Sequence, residues 1–258
     1  MIKIVQTRLP DLGTLYGPPG ADRRPTILVL HGSEGGWSGW SHRSAVLLAA
    51  HGFRALPFAY ARGGNPWNAG AIEDVPLDRT AAAIRALRGH ALSDGWVGLY
   101  GQSRGGEHAL LVTALATRDG ERDATADAVA ALAPADVICG AFDARRWRDS
   151  GDPGWQVWDP LARAWTWKGA SDDLLPTTAI EIERYEGPLL LCHGTEDKVW
   201  SAEMTRRLDR RLRQAGRSPE THLYQGEGHS LSAEAENAHL GHLIDFFCRH
   251  AGAGARSG

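Results

Sequence analysis

The stretch VGLYGQSRGGEHALLVTALA, residues 97–116, sets the fold class of this chain. Its first part has the β-branched, small and aromatic residues of a buried strand, and the part from Glu107 onward is an apolar run typical of a helix. Between them stands GQSRG, residues 101–105, a Gly-x-Ser-x-Gly pattern. Small neighbours let strand and helix pack closely around a strained turn that exposes the Ser103 hydroxyl. A glycine-rich turn of purely structural purpose is the alternative, and the flanking strand and helix favour the nucleophile.

Apolar runs typical of buried strands recur along the chain, with helical spacing of apolar residues between them. The strand-like runs are 26–30, 53–60, 96–100, 128–133, 188–192 and 221–225. Helical spacing is found in 77–87, in 204–215 behind a candidate N-cap at Ser201, and in 240–247. This alternation predicts an α/β fold with a mostly parallel central sheet and helices on both of its faces. Functional loops are then expected at the carboxyl ends of the strands.

Length and composition predict one large α/β domain over residues 1–258, with a flexible tail at 251–258. The net charge of −3 gives no electrostatic case for nucleic-acid binding. No apolar stretch has the length of a signal peptide core or a membrane span, so no membrane partner is expected. The three cysteines are widely spaced and odd in number. We therefore expect reduced, buried thiols in a cytoplasmic protein.

Residues 140–178 interrupt the alternation and carry five of the ten tryptophans. The segment is too long for a simple connection. We interpret it as a cap inserted into the sheet domain. The alternative is an irregular surface excursion whose tryptophans pack on one another.

A serine hydroxyl needs a base to take its proton and a carboxylate to orient that base. On this kind of fold the three residues follow the chain order serine, acid, histidine. Glu196 and Asp197 follow the strand-like run 188–192, and His229 follows the run 221–225 on a glycine loop. His229 is the candidate base. His239 and His242, one helical turn apart, are interpreted as a solvated helix face, and no metal or other cofactor is expected.

The oxyanion of a tetrahedral intermediate needs two N–H donors. The backbone of Arg104, at the start of the helix after the serine, is one candidate. Ser33, in the glycine-rich loop after the strand-like run 26–30, is the other, with Glu34 next. A loop that only makes a tight turn is the alternative.

An apolar acyl or aromatic pocket is suggested by tryptophans in the loops and in residues 140–178. Core packing is an equal alternative for each of them. The residues predicted to contact substrate are Glu34, Trp37, Trp67, Trp155, Trp158 and Trp200. Five arginines in residues 203–213, and a second group at 145–148, would suit phosphates of coenzyme A, although a solvated and charge-balanced helix face is the favoured interpretation.

The combined motifs resemble the α/β-hydrolase superfamily across nearly the whole chain. The closer likeness is to the C-terminal catalytic domain of the bile acid-CoA:amino acid N-acyltransferase and acyl-CoA thioesterase family, and more loosely to dienelactone hydrolases. It is carried by SHRSAVLLAAHGFRALPFAYA, EDVPLDRTAAAIRAL, GLYGQSRGGEHALL and GPLLLCHGTEDKVWSAEM. The Asp-x-Val pattern of hydrolases favours Asp197 over Glu196. Animal members of the family carry an additional N-terminal β-domain, which this sequence lacks.

The resemblance implies a serine hydrolase that cleaves a small-molecule ester or acyl thioester with an apolar acyl part, through an acyl-enzyme. Transferases of the family resemble cysteine enzymes, so a serine at position 103 favours attack by water. Acyl transfer to an amine or alcohol is the first alternative. A non-catalytic binding protein on the same fold is the second.

Overall fold

The structure is a computed structural model that describes residues 2–36, 38–63, 70–145 and 158–254. In chain order its elements are β1 (Val5–Leu9), β2 (Gly13–Gly17), β3 (Arg24–Leu30), α1 (Gly39–Ala50), β4 (Arg54–Phe58), β5 (Ala71–Ile72), β6 (Val75–Pro76), α2 (Asp78–Arg88), β7 (Ser93–Gln102), α3 (Arg104–Arg118), β8 (Ala128–Leu132), β9 (Ala141–Asp143), β10 (Trp158–Asp159), β11 (Trp165–Thr166), β12 (Leu189–Gly194), α4 (Ala202–Gln214), β13 (Glu220–Tyr224) and α5 (Ala233–Gly254). A 3₁₀ turn at Ile182–Arg184 precedes β12.

Eight strands form one sheet in the order β1-β2-β4-β3-β7-β8-β12-β13. Six of these strands run parallel, namely β4, β3, β7, β8, β12 and β13. Strands β1 and β2 add to one edge of the sheet in antiparallel pairs. Each of the predicted strand-like runs overlaps one of the parallel strands, and the ends differ by no more than two residues where a run extends beyond its strand, so the predicted mostly parallel sheet is confirmed. The parallel arrangement brings the carboxyl ends of β3, β7, β8, β12 and β13 to one edge of the sheet.

Helices cover both faces of this sheet, as predicted. Side chains of α2, α3 and α4 pack with one set of strand residues, which includes Leu28, Leu99 and Leu191. Side chains of α1 and α5 pack with the alternate set, which includes Val29 and Tyr100. Because successive strand residues point to opposite faces, a strand buried on both sides must be apolar at every position. Burial of each such Leu or Val side chain stabilises the fold by about 1.5–3 kcal/mol.

Two helices begin at the serines that precede them. The Ser201 hydroxyl accepts the amide of Glu203 at 3.3 Å, which confirms the predicted N-cap of α4. Ser38 caps α1 in the same way by accepting the amide of Trp40 at 3.1 Å. These caps satisfy amides that have no partner inside the helix. Among the residues described, no helix combines the length and apolarity needed to cross a bilayer.

The described parts of residues 140–178 are tied to the segment that follows β4. Strand β9 pairs with both β5 and β10, and β11 pairs in parallel with β6. Trp165 and Trp167 are buried there, which confirms core packing for these two tryptophans. A cap function for this segment stays a prediction.

The C-terminal end and the cysteines differ in part from what the sequence suggested. Helix α5 continues to Gly254, so the first half of the predicted tail is helical and the other half, 255–258, lies outside the described residues. All three cysteines are free thiols, of which Cys192 is buried, Cys139 half-buried and Cys248 exposed. The prediction of a buried thiol is therefore wrong for Cys248, which lies on the outer side of α5.

Candidate active site

Ser103 occupies a sharp turn between β7 and α3. Its φ of 54° and ψ of −122° lie outside the regions that residues with a Cβ favour. Such a conformation costs about 1–3 kcal/mol and persists only where neighbours hold it. The Ser103 amide donates to the Leu132 carbonyl at 2.8 Å, which ties the turn to β8. A Cβ at Gly105 would lie 2.6 Å from the Leu30 carbonyl oxygen, so only glycine lets α3 start so close to β3.

The structure brings Ser103, His229 and Asp197 together at the carboxyl edge of the sheet. His229 Nε2 lies 2.9 Å from Ser103 Oγ, and His229 Nδ1 lies 2.7 Å from Asp197 Oδ2. The carboxylate can only accept, so Nδ1 carries the proton and Nε2 accepts from the serine hydroxyl. Ser103 and Asp197 are buried, whereas the His229 side chain is 20% exposed. The arrangement suits proton transfer from a serine nucleophile.

The structure separates the two adjacent carboxylates that the sequence could not. Asp197 Oδ1 accepts the amides of Val199 at 2.7 Å and Trp200 at 3.0 Å, while Oδ2 faces His229. Glu196 is exposed and pairs with Lys198 on the surface. Burial would raise the pKa of Asp197, but hydrogen bonds from two imidazoles and the field of His229 hold that pKa well below its usual range. Asp197 is therefore the ionised acid that faces the histidine.

The two residues predicted to stabilise an oxyanion follow β7 and β3, which are neighbouring parallel strands of the sheet. Arg104 is the first residue of α3, and Ser33 lies in the turn after β3. Within the described ranges, neither of these two N–H groups has a hydrogen-bond acceptor in the protein. Helix N-termini leave such amides available for an anion. A role for them in catalysis stays a prediction.

Glu34 stands beside this turn with its side chain folded over the loop. Its carboxylate accepts the Gly32 amide at 2.9 Å, and the Ser38 hydroxyl lies 3.5 Å away. Burial raises the pKa of Glu34, although the hydrogen bonds and the nearby His229 act in the opposite direction. The Glu34 carboxylate thus stabilises the backbone of this loop by accepting the Gly32 amide. The predicted contact of Glu34 with substrate stays a prediction.

A buried ion pair lies directly beneath the nucleophile turn. The Arg104 guanidinium is fully buried and donates to Glu107 at 2.8 Å and to the Gly140 carbonyl at 2.7 Å. Glu107 Oε1 accepts the Cys139 amide and the Trp165 indole N–H, both at 2.9 Å. Glu107 is therefore a buried polar anchor for the turn around Ser103. The pair joins the start of α3 to residues 139–140 and to β11.

The described tryptophans of the predicted pocket line up beside the histidine. The Trp200 ring centroid lies 6.3 Å from that of His229, and Trp158 lies 6.2 Å from Trp200. The Arg104 guanidinium carbon lies 4.6 Å from the centroid of Trp158 and 5.6 Å from that of Trp200. Cation–π contacts of this kind hold the two rings in place. The remaining tryptophans of that prediction, Trp37, Trp67 and Trp155, lie outside the described residues.

The arginines of α4 pair with acidic side chains, which supports the charge-balanced interpretation of this helix. Arg207 makes a bidentate pair with Asp136, and Arg211 pairs with Glu183. The other three helix arginines also have acidic partners, namely Glu203 for Arg206 and Arg210 and Asp209 for Arg213. Of the second group, Arg145 pairs with Asp143, and 146–148 lie outside the described residues.

The interpretation of His239 and His242 as a solvated face is wrong for His239. This residue is buried, and its ring lies 2.8 Å from the Tyr100 hydroxyl and 3.2 Å from the Tyr224 hydroxyl. The helical spacing did not reveal that α5 turns this position toward the sheet. In the part of the chain that the structure describes, no cluster of three His, Cys, Asp or Glu side chains is arranged to hold a metal.

Sequence reasoning missed one polar residue at the site. His193, in β12, is fully buried and lies 3.1 Å from Asp197 Oδ2. A histidine at the carboxyl end of an apolar strand, four residues before the candidate acid, was the available signal. Thr205 of α4 contacts its other nitrogen.

The fold is that of the α/β hydrolases, as the sequence predicted, and solved structures agree. An esterase from Thermogutta terrifontis with propionate bound aligns with a TM-score of 0.62 and 20% identity over 96% of this chain and 94% of that chain. The butyrate-bound form of that esterase aligns with a TM-score of 0.60 and 19% identity over the same shares. At this level of identity the likeness concerns the fold.

The sequence comparisons bear out the closer resemblance. Residues 161–234 match the sequence model of the family described as BAAT / Acyl-CoA thioester hydrolase C terminal, a range that contains Asp197 and His229. Acyl-coenzyme A thioesterase 6 of Mus musculus is 27% identical over 228 residues, which are 84% of this chain and 51% of the relative. The chain thus spans about half the length of that curated relative. These similarities support a hydrolase of the esterase or thioesterase type.

Proposed function

We propose that this protein is a serine hydrolase that cleaves a carboxylic ester or acyl thioester through Ser103, His229 and Asp197. The observation that carries the proposal is the continuous hydrogen-bonded chain from Ser103 Oγ through both nitrogens of His229 to Asp197. The likeness to an acyl-CoA thioesterase and to an esterase supports the same reaction class. The substrate is a small molecule with an apolar acyl part.

The mechanism follows from the positions of these groups. His229 Nε2 takes the hydroxyl proton as Ser103 Oγ attacks the carbonyl carbon, and Asp197 stabilises the imidazolium that results. The amides of Ser33 and Arg104 donate to the oxyanion of the tetrahedral intermediate. The imidazolium then gives its proton to the leaving alcohol or thiol. Water attacks the acyl-enzyme with His229 again as base, which releases the acid and restores Ser103.

A fluorophosphonate probe tests the nucleophile directly. The wild-type protein is expected to react stoichiometrically at Ser103, and Ser103→Ala is expected to lose both labelling and turnover. Ser230, next to His229, provides the matched control, since Ser230→Ala should label as the wild type does. Stoichiometric labelling of the Ser103→Ala variant at another serine would remove the proposal.

A substrate panel then narrows the reaction. Short and long p-nitrophenyl esters are compared with acyl-CoA thioesters, and the ratio of their kcat/KM values reports the leaving group and acyl length. Adding an amine or alcohol acceptor separates hydrolysis from acyl transfer. We expect free acid both with and without the acceptor; conversion of most product into conjugate would assign a transferase instead.

The free cysteines support a cytoplasmic location, which cell fractionation would test.

A further inference from the structure

A second histidine contacts the carboxylate of Asp197. His193 lies in β12, and its Nε2 is 3.1 Å from Asp197 Oδ2 and 2.9 Å from the Trp200 carbonyl oxygen. Its Nδ1 is 2.8 Å from Thr205 Oγ1. All four residues of these contacts are buried. Buried hydrogen bonds therefore hold the ring at both of its nitrogens.

The partners of His193 show which of its ring nitrogens carries a hydrogen. Both groups near Nε2, a carboxylate and a backbone carbonyl, can only accept. Nε2 therefore carries a hydrogen that the two oxygens share. A neutral imidazole with its hydrogen on Nε2 has a free lone pair on Nδ1, which accepts the Thr205 hydroxyl. Thr205 can satisfy this nitrogen because the N-cap at Ser201 starts α4 beside the strand.

This hydrogen bond completes the shell of Asp197. Oδ2 receives N–H groups from both His193 and His229, and Oδ1 receives the amides of Val199 and Trp200. The two amides alone would allow the carboxylate to tilt about them. A second donor to Oδ2 restricts this tilt while the oxygen faces the base. The contacts therefore join Thr205 of α4 to His193 of β12, and His193 to Asp197.

We propose that His193 is a positioning residue, which holds Asp197 Oδ2 in line with His229 Nδ1 while the Thr205 hydroxyl holds the ring at Nδ1. The inference rests on the proposed function, since it assigns His193 a part in the same reaction. In this role the N–H at Nε2 stays on His193, because both of its acceptors remain in place throughout the cycle. Its effect reaches the substrate only through Asp197.

Two matched pairs of variants test this assignment. His193→Gln retains an N–H donor at about the reach of Nε2, and His193→Phe keeps a ring of similar volume without a donor. We expect His193→Phe to lower kcat by about 10- to 100-fold with little change in KM, since it removes a hydrogen bond to a charged group. His193→Gln should recover most of that loss. Thr205→Val should lower kcat by about threefold to tenfold, and Thr205→Ser should act as the wild type does.

A spectroscopic measurement makes the result independent of whether the variants fold well. In the wild-type protein labelled with ¹⁵N-histidine, His193 should carry hydrogen on Nε2, and Thr205→Val should broaden or shift its Nδ1 resonance. A wild-type His193 that lacks hydrogen on Nε2 would overturn the proposal. Equal kcat values for His193→Phe and the wild type would do so as well, as would a His193→Gln variant no better than His193→Phe.

The order of the experiments separates the two proposals. Fluorophosphonate labelling at Ser103 in the wild type is established first, and its absence counts against the proposed function. With labelling present, the acylation rates of the variant pairs test His193 alone. A loss confined to KM, with kcat unchanged, would place His193 among groups that shape the binding site and would contradict a positioning role.

Discussion

The histidines near Asp197 and those near Tyr224 have different partners. His229 has a carboxylate on one nitrogen and a serine hydroxyl on the other. His239, on α5, has tyrosine hydroxyls near both of its nitrogens. Burial lowers the pKa of His239 to about 3, and the neighbouring His242 and His222 act in the same direction.

The difference shows that burial and hydrogen bonding alone do not make a histidine a base. An imidazole surrounded by neutral hydroxyls stays neutral, because a buried charge without a counter-charge is costly. A carboxylate at one nitrogen stabilises the imidazolium that forms when the other nitrogen takes a proton. His229 has such a carboxylate in Asp197. The Tyr224 cluster consists of Tyr224, His222, His239 and His242. Its carboxylate, Glu220, pairs with His222, whereas within the residues described His239 has phenol hydroxyls at both of its nitrogens.

Substitution of the two histidines gives the largest expected contrast. His229→Ala should lower the acylation rate by about 10⁴- to 10⁶-fold, because it removes the group that takes the Ser103 proton. His239→Ala should change that rate by less than about threefold. Single-turnover kinetics with an ester substrate provides the measurement. Similar losses in both variants would break the comparison and would indicate a role of the Tyr224 cluster in the reaction.

Replacement of the carboxylate by an amide sharpens the comparison from the other side. In Asp197→Asn the amide cannot stabilise an imidazolium, and it favours the wrong tautomer of His229, so we expect kcat to fall by about 10³- to 10⁴-fold. The neighbouring Glu196→Gln is the matched control and should leave kcat unchanged, since Glu196 pairs only with exposed Lys198. A larger loss in Glu196→Gln than in Asp197→Asn would reverse the assignment of the acid.

The pair Arg104 and Glu107 extends the comparison to a buried charge with a fixed partner. Burial raises the pKa of Glu107, and Arg104 opposes that rise. Arg104→Met leaves Glu107 without its counter-charge and should lower the free energy of unfolding by about 3–5 kcal/mol. The double variant Arg104→Met with Glu107→Leu should recover part of that loss. Urea unfolding measures both, and a single-variant loss below about 1 kcal/mol would contradict the importance of the pair.

Much of the fold could be predicted because its decisive strands are buried on both faces. Runs such as 27–30 and 188–192 are apolar at every position, and parallel strands covered by helices need that composition. The edge strands β1 and β2 were not predicted, since their pairing is antiparallel and part of each faces solvent. The two-residue strands β5 and β6 carry too few residues for any periodicity.

The site was predictable where a local motif fixes the backbone. In the Gly-x-Ser-x-Gly turn, Ser103 has a positive φ, which its neighbours hold in place. The need for small neighbours around this residue is visible in the sequence. The choice between Glu196 and Asp197 needed the resemblance, because adjacent residues have no distinguishing spacing. The side chain of Arg104 escaped prediction because its partners at residues 139–140 come from a distant part of the chain. His193 escaped prediction because its contacts depend on the turn after β12 and on the position at which α4 begins.

The smallest expected effect concerns the acid sensitivity of the Tyr224 cluster. With its pKa lowered to about 3, His239 stays neutral in the folded protein at pH 5, whereas in the unfolded chain it titrates near pH 6.5. The unfolded state therefore binds more protons below pH 6.5, and the stability present above that pH is lost as the pH falls toward 3. Between pH 6 and pH 5 this single residue should lower the free energy of unfolding by about 1 kcal/mol.

The variant His239→Gln isolates that contribution. Its free energy of unfolding at pH 7 will differ from the wild type because contacts with Tyr100 and Tyr224 change, so the slope between pH 7 and pH 5 is the quantity to compare. Urea unfolding at each pH should give a slope that is shallower by about one proton in the variant, and exposed His51→Gln should keep the wild-type slope. Equal slopes in His239→Gln and the wild type would show that His239 is protonated in the folded state. His239 would then hold a charge between two tyrosine hydroxyls, and the distinction between His239 and His229 would fail.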